Sequence, residues 1–313
     1  MKIYSIILII LLVIFGVFFF IKEPSKAQEM KIIIAGDVML DRHNRALGEK
    51  YGYDFLFQNI APLFHSADVG IANLESAVTD YPSQTLLSNG ETDDSFTFTS
   101  ATNTPEALSN AGISLVSLAN NHSYNFGADG LLQTHNWLSV ANVSWFGSPL
   151  NATGTEKIIC KNSICIAFVG YNEFSSGIDN ILSDVKRLSD EKYPVVVMAH
   201  WGDEYATNTP QRVKDEAKEF VDAGATAIIG SHPHVIGDKE WVGNVPVIYS
   251  LGNLLFDQYF STDVMTGNIA EIDFIKENSV TKIDKIFLYT ISNISHLGPA
   301  PVGHPIEFYS KDD

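Results

Sequence analysis

Side chains able to bind metal ions or move protons gather at the ends of short apolar runs. One run leads into Gly36-Asp37-Val38-Met39-Leu40-Asp41, a second into Asn73-Leu74-Glu75 and a third into Asn120-Asn121-His122. Two later runs end in His200-Trp201-Gly202-Asp203-Glu204 and Gly230-Ser231-His232-Pro233-His234. Taken singly, most of these are ordinary, since an aspartate after a strand is a preferred helix cap. His232-Pro233-His234 is more specific: proline disfavours helix at His232, and in extended backbone residues i and i+2 share one face. With Asp37, Glu75, Asn121 and His200, these imidazoles make the oxygen and nitrogen ligand mix suited to zinc, manganese or iron. Two such ions about 3.5–4 Å apart, bridged by a carboxylate, can generate a nucleophilic hydroxide and clamp a tetrahedral oxyanion. The competing reading is a merely polar rim at the ends of strands.

Segments so far apart in the chain need a frame that brings their ends together. Short β-rich apolar runs recur at 31–36, 69–73, 113–119, 143–147, 164–170, 194–200, 226–230 and 245–250. Helix-like stretches at 104–112, 128–141 and 209–224 lie between several of them. The last predicts Thr209 as N-cap, Pro210 in the first turn and Gly224 beyond the final one. Alternation of buried strand and amphipathic helix implies an α/β fold with strands covered on both faces, whose ligands sit at the carboxyl ends of the strands. After Asn268 the pattern becomes alternating and reads as a closing antiparallel pair. The segment from Asp80 to Asn103 is a long loop, of the kind that is often functional or mobile.

The 313 residues are 45% hydrophobic and 18% charged, which excludes a disordered chain and supplies a substantial core. Twenty Lys and Arg against 37 Asp and Glu give a net charge of -17, so nucleic acid is not an expected partner. The two cysteines exclude a Cys-rich zinc module or an iron-sulfur protein. Cys160 and Cys165 flank a short turn between β-like runs and either face each other as a disulfide or stay as half-buried thiols. Ile3 to Ile21 runs 19 residues without a charge. Roughly 20 helical residues cross a membrane, and a cleavable signal has a shorter apolar region and a small-residue exit. Residues 1–21 are therefore expected to be an uncleaved membrane anchor, 22–29 a polar linker and 30–313 one domain outside the cytoplasm. Removing residues 1–30, with three Lys and two Glu, leaves 17 basic and 35 acidic residues, a net charge of -18. Such a body is tethered to an anionic membrane and not adsorbed on it.

GDVMLDR (36–42), ANLESAVT (72–79), LANNHSYNFG (118–127), MAHWGDEY (198–205), GSHPHVIG (230–237) and YSLGNLLFD (249–257) together resemble the successive motifs of the CapA family. These are poly-γ-glutamate capsule synthesis proteins related to the calcineurin-like metallophosphoesterases. The resemblance spans roughly residues 30–260 and implies a four-layer α/β/β/α sandwich on an N-terminal membrane anchor. It implies a role in making, exporting, anchoring or trimming poly-γ-glutamate, with one or two divalent ions (Mn, Zn or Fe). By position, Glu75 takes the bridging place, Asn121, His200 and His232 complete one metal, and Asp37 and His234 the other. His122 takes the place of a general acid or oxyanion stabiliser, while Glu204 is a loop acid that could contact substrate. Two positions depart from the phosphoesterase pattern: Met39 stands where a histidine ligand is expected, and Glu75 replaces an aspartate. These departures bear on phosphoesterase activity and not on the fold. Two functions follow, a metal-dependent hydrolase acting on poly-γ-glutamate or another amide- or phosphate-bearing polymer, and a non-catalytic subunit of a membrane-bound polyglutamate synthase and export complex. A tethered domain with a vestigial site is the third.

Overall fold

The computed structural model describes residues 28–85, 95–294 and 298–310, and the expected anchor at 1–21 lies outside them. In the first half, β1 (Gln28–Val38) leads to α1 (Arg42–Tyr51), and the single-turn helices α2 (Asp54–Phe57) and α3 (Ala61–Phe64) carry the chain to β2 (Val69–Leu74). There follow β3 (Ala77–Val78), β4 (Thr99–Ser100), α4 (Thr104–Asn110), β5 (Ile113–Ser117), α5 (Gly127–Val140) and β6 (Ser144–Phe146). The second half opens with the hairpin β7 (Lys157–Lys161) and β8 (Ile164–Asn172), then α6 (Ile178–Asp190), β9 (Val195–His200), α7 (Gln211–Ala223) and β10 (Ala227–Ser231). It closes with β11 (Lys239–Val242), β12 (Val245–Ile248), β13 (Asn253–Leu255), β14 (Thr266–Glu277), β15 (Val280–Ile294), β16 (Gly298–Pro301) and β17 (Ile306–Ser310).

Among the described residues, one large sheet runs β16-β15-β14-β1-β2-β5-β6, with β13 against β1 and β17 against β15. The second runs β11-β12-β10-β9-β8-β7. The inner strands β1, β2, β5 and β6 are mutually parallel, as are β8, β9, β10 and β12, so their carboxyl ends point the same way within each sheet.

The period of two in a strand sorts the apolar runs into layers. Ile32 and Ile34 of β1 pack against Ile166, Phe168, Val196 and Ile229 of the opposite sheet. Ile33 and Ala35 face the other way, into a core with Leu47 of α1, Leu108 of α4 and Leu138 of α5. On the far side, Val195 and Val197 of β9 pack with Ile181, Val185 and Leu188 of α6 and Val213, Ala217 and Phe220 of α7. Helices α6 and α7 each bury an i, i+4, i+7 stripe, and the layers stack as helix, sheet, sheet, helix.

Several boundaries differ from the sequence expectation. Helix α7 starts at Gln211 behind an extended Pro210 (φ -61, ψ 150), and the Thr209 backbone N–H donates to Asp238 Oδ2, so Thr209 is not the cap. Gly224 does end it, in the left-handed region at φ 107 that glycine adopts without penalty. Helices α1, which ends at Gly52, and α6, which starts after Gly177, are additions to the expected set. The closing antiparallel pair is present as β14 and β15. Cys160 and Cys165 are directly opposed in the β7–β8 hairpin and form a disulfide.

Candidate metal centre

The two sheets bring their carboxyl ends to one cleft. Asp37 leaves β1, Glu75 follows β2, and Asn121 and His122 follow β5; His200 ends β9, while His232 and His234 follow β10. Asp37, Glu75, His200, His232 and His234 are all nearly or fully buried. Two groups have ligand atoms within 4.8 Å of one another: Glu75, His200 and His232, and Asp37, Glu75 and His234. Glu75 belongs to both.

Backbone geometry sets the two imidazoles of the β10 loop. His232 and His234 lie at φ 98 and φ 59, not in extended backbone. Their convergence therefore comes from a pair of left-handed turns, and the i, i+2 argument from strand geometry does not apply. Such conformations cost of order 1–3 kcal/mol each for non-glycine residues and persist where the surroundings over-determine them. Here Asp37 Oδ2 accepts the His232 backbone N–H at 3.1 Å.

The hydrogen-bond network assigns the ring nitrogens. Asn253 donates through Nδ2 to Gln258 and to the Val264 carbonyl, which leaves its Oδ1 to accept His234 Nδ1–H at 2.9 Å. The His234 lone pair is then on Nε2, 3.9 Å from Glu75 Oε1. Asn125 Oδ1 accepts the Phe98 N–H, so His122 carries its proton on Nδ1, 3.1 Å from that same oxygen, and turns Nε2 toward Glu75 Oε1 at 3.9 Å. His200 Nδ1 lies 3.0 Å from Ser231 Oγ, and its Nε2 lies 2.9 Å from Asn121 Oδ1, 3.2 Å from His232 Nδ1 and 3.7 Å from Glu75 Oε1. Ligands about 2.1 Å from one ion sit roughly 3 Å apart, the spacing of these acceptor atoms. Asn73 supports the set from behind, donating to Asp37 Oδ1 at 2.7 Å with its Nδ2 also 3.1 Å from His200 Nδ1, while its Oδ1 accepts from Asn120.

Burial governs the charges. It lowers His200 well below the usual imidazole range, helped by the charge of His232. It takes His232 down to about 3 and His122 to about 4. Imidazoles kept neutral are imidazoles ready to coordinate. Burial also pushes Asp37 upward, but the hydrogen bond from His234 and the charges of His200 and His234 outweigh it and hold the carboxyl below its ordinary value. Glu75 is raised well above the carboxylate range by burial, then by the charges of Asp37 and Glu204. Among the described residues neither Glu75 oxygen has a hydrogen-bond partner. A buried, unpartnered carboxylate is costly unless a cation joins it. The donor set, the neutral rings and this orphaned carboxylate together fit one or two divalent ions.

Met39 takes no part in that set. Its sulfur accepts the Asp41 N–H at 3.1 Å, and it is buried with Phe98 and Phe256. Those rings in turn lie 4.5 Å from His122 and 4.6 Å from His234. Asp41 belongs to neither ligand group: its Oδ2 accepts from the Thr99 N–H and the Thr85 hydroxyl and ties the flanks of the 80–103 segment to the end of β1, while its buried Oδ1 has no partner among the described residues. Glu204 is exposed at the cleft mouth, and Trp201 is a packing residue, buried with its Nε1–H donating to the Tyr249 carbonyl.

Sequence reasoning did not single out Asn73, Asn253, Phe98, Phe174 or Arg42. Phe174 is half exposed and its ring lies 4.3 Å from His232. Arg42 could have been found: it is the one Lys or Arg in the six motifs.

Comparison with known proteins places these motifs in context. The model of a family described as bacterial capsule synthesis protein PGA_cap matches residues 31–258. The chain is 27% identical over 297 residues to the capsule biosynthesis protein CapA of Bacillus anthracis, covering 88% of this chain and 70% of that one. It is 27% identical over 289 residues to the PGA biosynthesis protein CapA of Bacillus subtilis (strain 168), covering 85% and 72%. The crystal structure of the calcineurin-like phosphoesterase YfkN from Bacillus subtilis superposes with a TM-score of 0.53 at 13% identity, covering 85% of this chain and 91% of that one, a likeness of fold.

Proposed function

Because the chain belongs to the bacterial capsule synthesis protein family PGA_cap, the CapA-type family of poly-γ-glutamate capsule biosynthesis, we propose that it is a membrane-anchored capsule protein with a hydrolase-type metal site. The apolar residues 3–21 would anchor it, with the body outside the cytoplasm beside the membrane subunits of the polyglutamate synthase. The disulfide supports that placement, since such bonds persist in oxidising compartments.

The observation that carries the metal reading is Glu75, a fully buried carboxylate with no hydrogen-bond partner among the described residues, shared by two ligand groups. Asn121, His200 and His232 would hold one divalent ion with Glu75, and Asp37 and His234 the other. Bound there, an ion supplies Lewis acidity and an acidified water. His122 keeps its proton on Nδ1 against Asn125 and presents a lone pair on Nε2. Its first act at neutral pH is therefore to accept a proton from the attacking group, and the imidazolium so formed can then protonate the leaving nitrogen or oxygen. Phe98 packs on His122 and keeps water from that face.

A second reading, a binding subunit without turnover, is favoured by Met39, whose apolar burial leaves the Asp37 side one ligand short of the phosphoesterase pattern. One experiment separates the two. The full chain, purified without chelators, should contain one or two equivalents of manganese, zinc or iron, and His200→Ala and His232→Ala should each lose most of it. Absence of metal after supplementation removes the metal reading. Metal-loaded protein that binds γ-linked oligoglutamate without releasing new amino groups establishes the binding role.

A further inference from the structure

We propose that Arg42 is the oxyanion-recognition residue of this cleft, reading a carboxylate or phosphate group of the substrate through its guanidinium. The inference rests on the cleft being the substrate site argued above.

The body carries a net charge of -18, and a polyanion can be held there only by local cations. Metal ions would supply some of that charge, but as point attractors they recognise no planar group. Arg42 is the only Lys or Arg in the motifs that build the site. It stands four residues after β1, where it pairs with Asp257 at the end of the sixth motif. Asp257 Oδ2 also accepts the His43 N–H at 3.1 Å, which fixes the carboxylate and so the guanidinium.

Three observations separate this residue from an ordinary ion pair. Its guanidinium carbon lies 5.0 Å from the centre of the Phe98 ring and 5.6 Å from that of Phe256. These are the same rings that touch His122 and His234, so the cation sits one aromatic ring away from both imidazoles. Its backbone is left-handed at φ 51, an outlier for a long side chain that clusters at functional positions. Its Nε–H is buried with no acceptor among the described residues, while the side chain as a whole stays 14% exposed. A flat guanidinium clamped between rings, with spare donors and a route to solvent, is preorganised for two-pronged binding of an oxyanion.

The test is calorimetric titration of the full-length chain in detergent with a γ-linked glutamate pentamer and, separately, with inorganic phosphate. Metal content is measured on the same samples of wild type, Arg42→Gln, Arg42→Lys and Asp257→Asn. Arg42→Gln should weaken pentamer binding at least tenfold, Arg42→Lys should recover only part of it, and Asp257→Asn should fall between, with metal content unchanged in all three. Phosphate binding that depends on Arg42, without pentamer binding, keeps the oxyanion role and assigns it to a phosphate source. Arg42→Gln binding both probes within twofold of wild type overturns the proposal, as does a wild type that binds neither. A wild type without metal that still loses anion binding on Arg42 substitution defeats the metal reading alone. If Arg42→Gln does not fold, the comparison of Arg42→Lys with wild type decides, because lysine keeps the charge and loses the fork.

Discussion

Glu75 carries two opposed costs, and its substitution separates them. Its folded-state pKa is raised, so in the metal-free chain it favours folding below about pH 4.5 and costs stability as pH rises through the folded value. Glu75→Gln should therefore raise the melting temperature of metal-free protein at pH 8, leave it unchanged near pH 4, and abolish the stabilisation that added metal gives the wild type. A wild type that outlasts the variant at pH 8 without metal would contradict the unpartnered carboxylate. His122 and His232 work in the other direction. Their folded values, about 4 and about 3, lie below the unfolded 6.5, so their contribution is present above pH 6.5 and is lost as pH falls through those values. With Glu75→Gln removing the opposing titration, metal-free protein should lose a few kcal/mol between pH 7 and pH 4, measured by urea denaturation, and adding His122→Gln should flatten that slope. Much of this was legible in the sequence, because Asp37, Glu75, Asn121, His200, His232 and His234 stand at the ends of apolar runs. Asn73 and Asn253 were not, because an asparagine that orients a ligand looks like any strand-end asparagine until its partners are known.

The inner strands β2, β9 and β10 announced themselves because both faces of each are buried, which writes a continuous apolar run. Helices α1 and α6 were missed even though Gly52 ends the one and Gly177 precedes the other, and the stripe Ile181, Val185, Leu188 shows α6 in retrospect. Single atoms also decide how elements meet. A Cβ on Gly230, in β10, would lie 1.9 Å from the Tyr249 carbonyl oxygen and 2.6 Å from Trp201 Nε1. The backbone on one side and a fully buried indole on the other leave no room to yield. Gly230→Ala should cost about 3 kcal/mol, and because His232 and His234 follow directly, metal affinity should fall with it. Thermal melts and metal titration of the variant check both; full metal affinity in a destabilised protein would detach the β10 loop from the strand that carries it.

For the molecule as a whole, the disulfide sits at the edge of the second sheet in the β7–β8 hairpin, far in sequence from most ligands. Closing so short a loop is worth about 2 kcal/mol. Replacing both cysteines by serine should lower stability by that amount in denaturant melts and leave metal content intact, whereas a loss of metal would show that the hairpin helps shape the cleft. The Asp37 carboxylate and the His232 amide that it holds are 195 residues apart, and Glu75 meets histidines supplied by the other sheet. Neither half of the chain contains a complete ligand group, so the cleft comes into being only when the two halves close on each other. On the metal reading proposed above, ion capture would be the last event of folding, and the metals present in the compartment where the sandwich closes would share in choosing the ion held inside it.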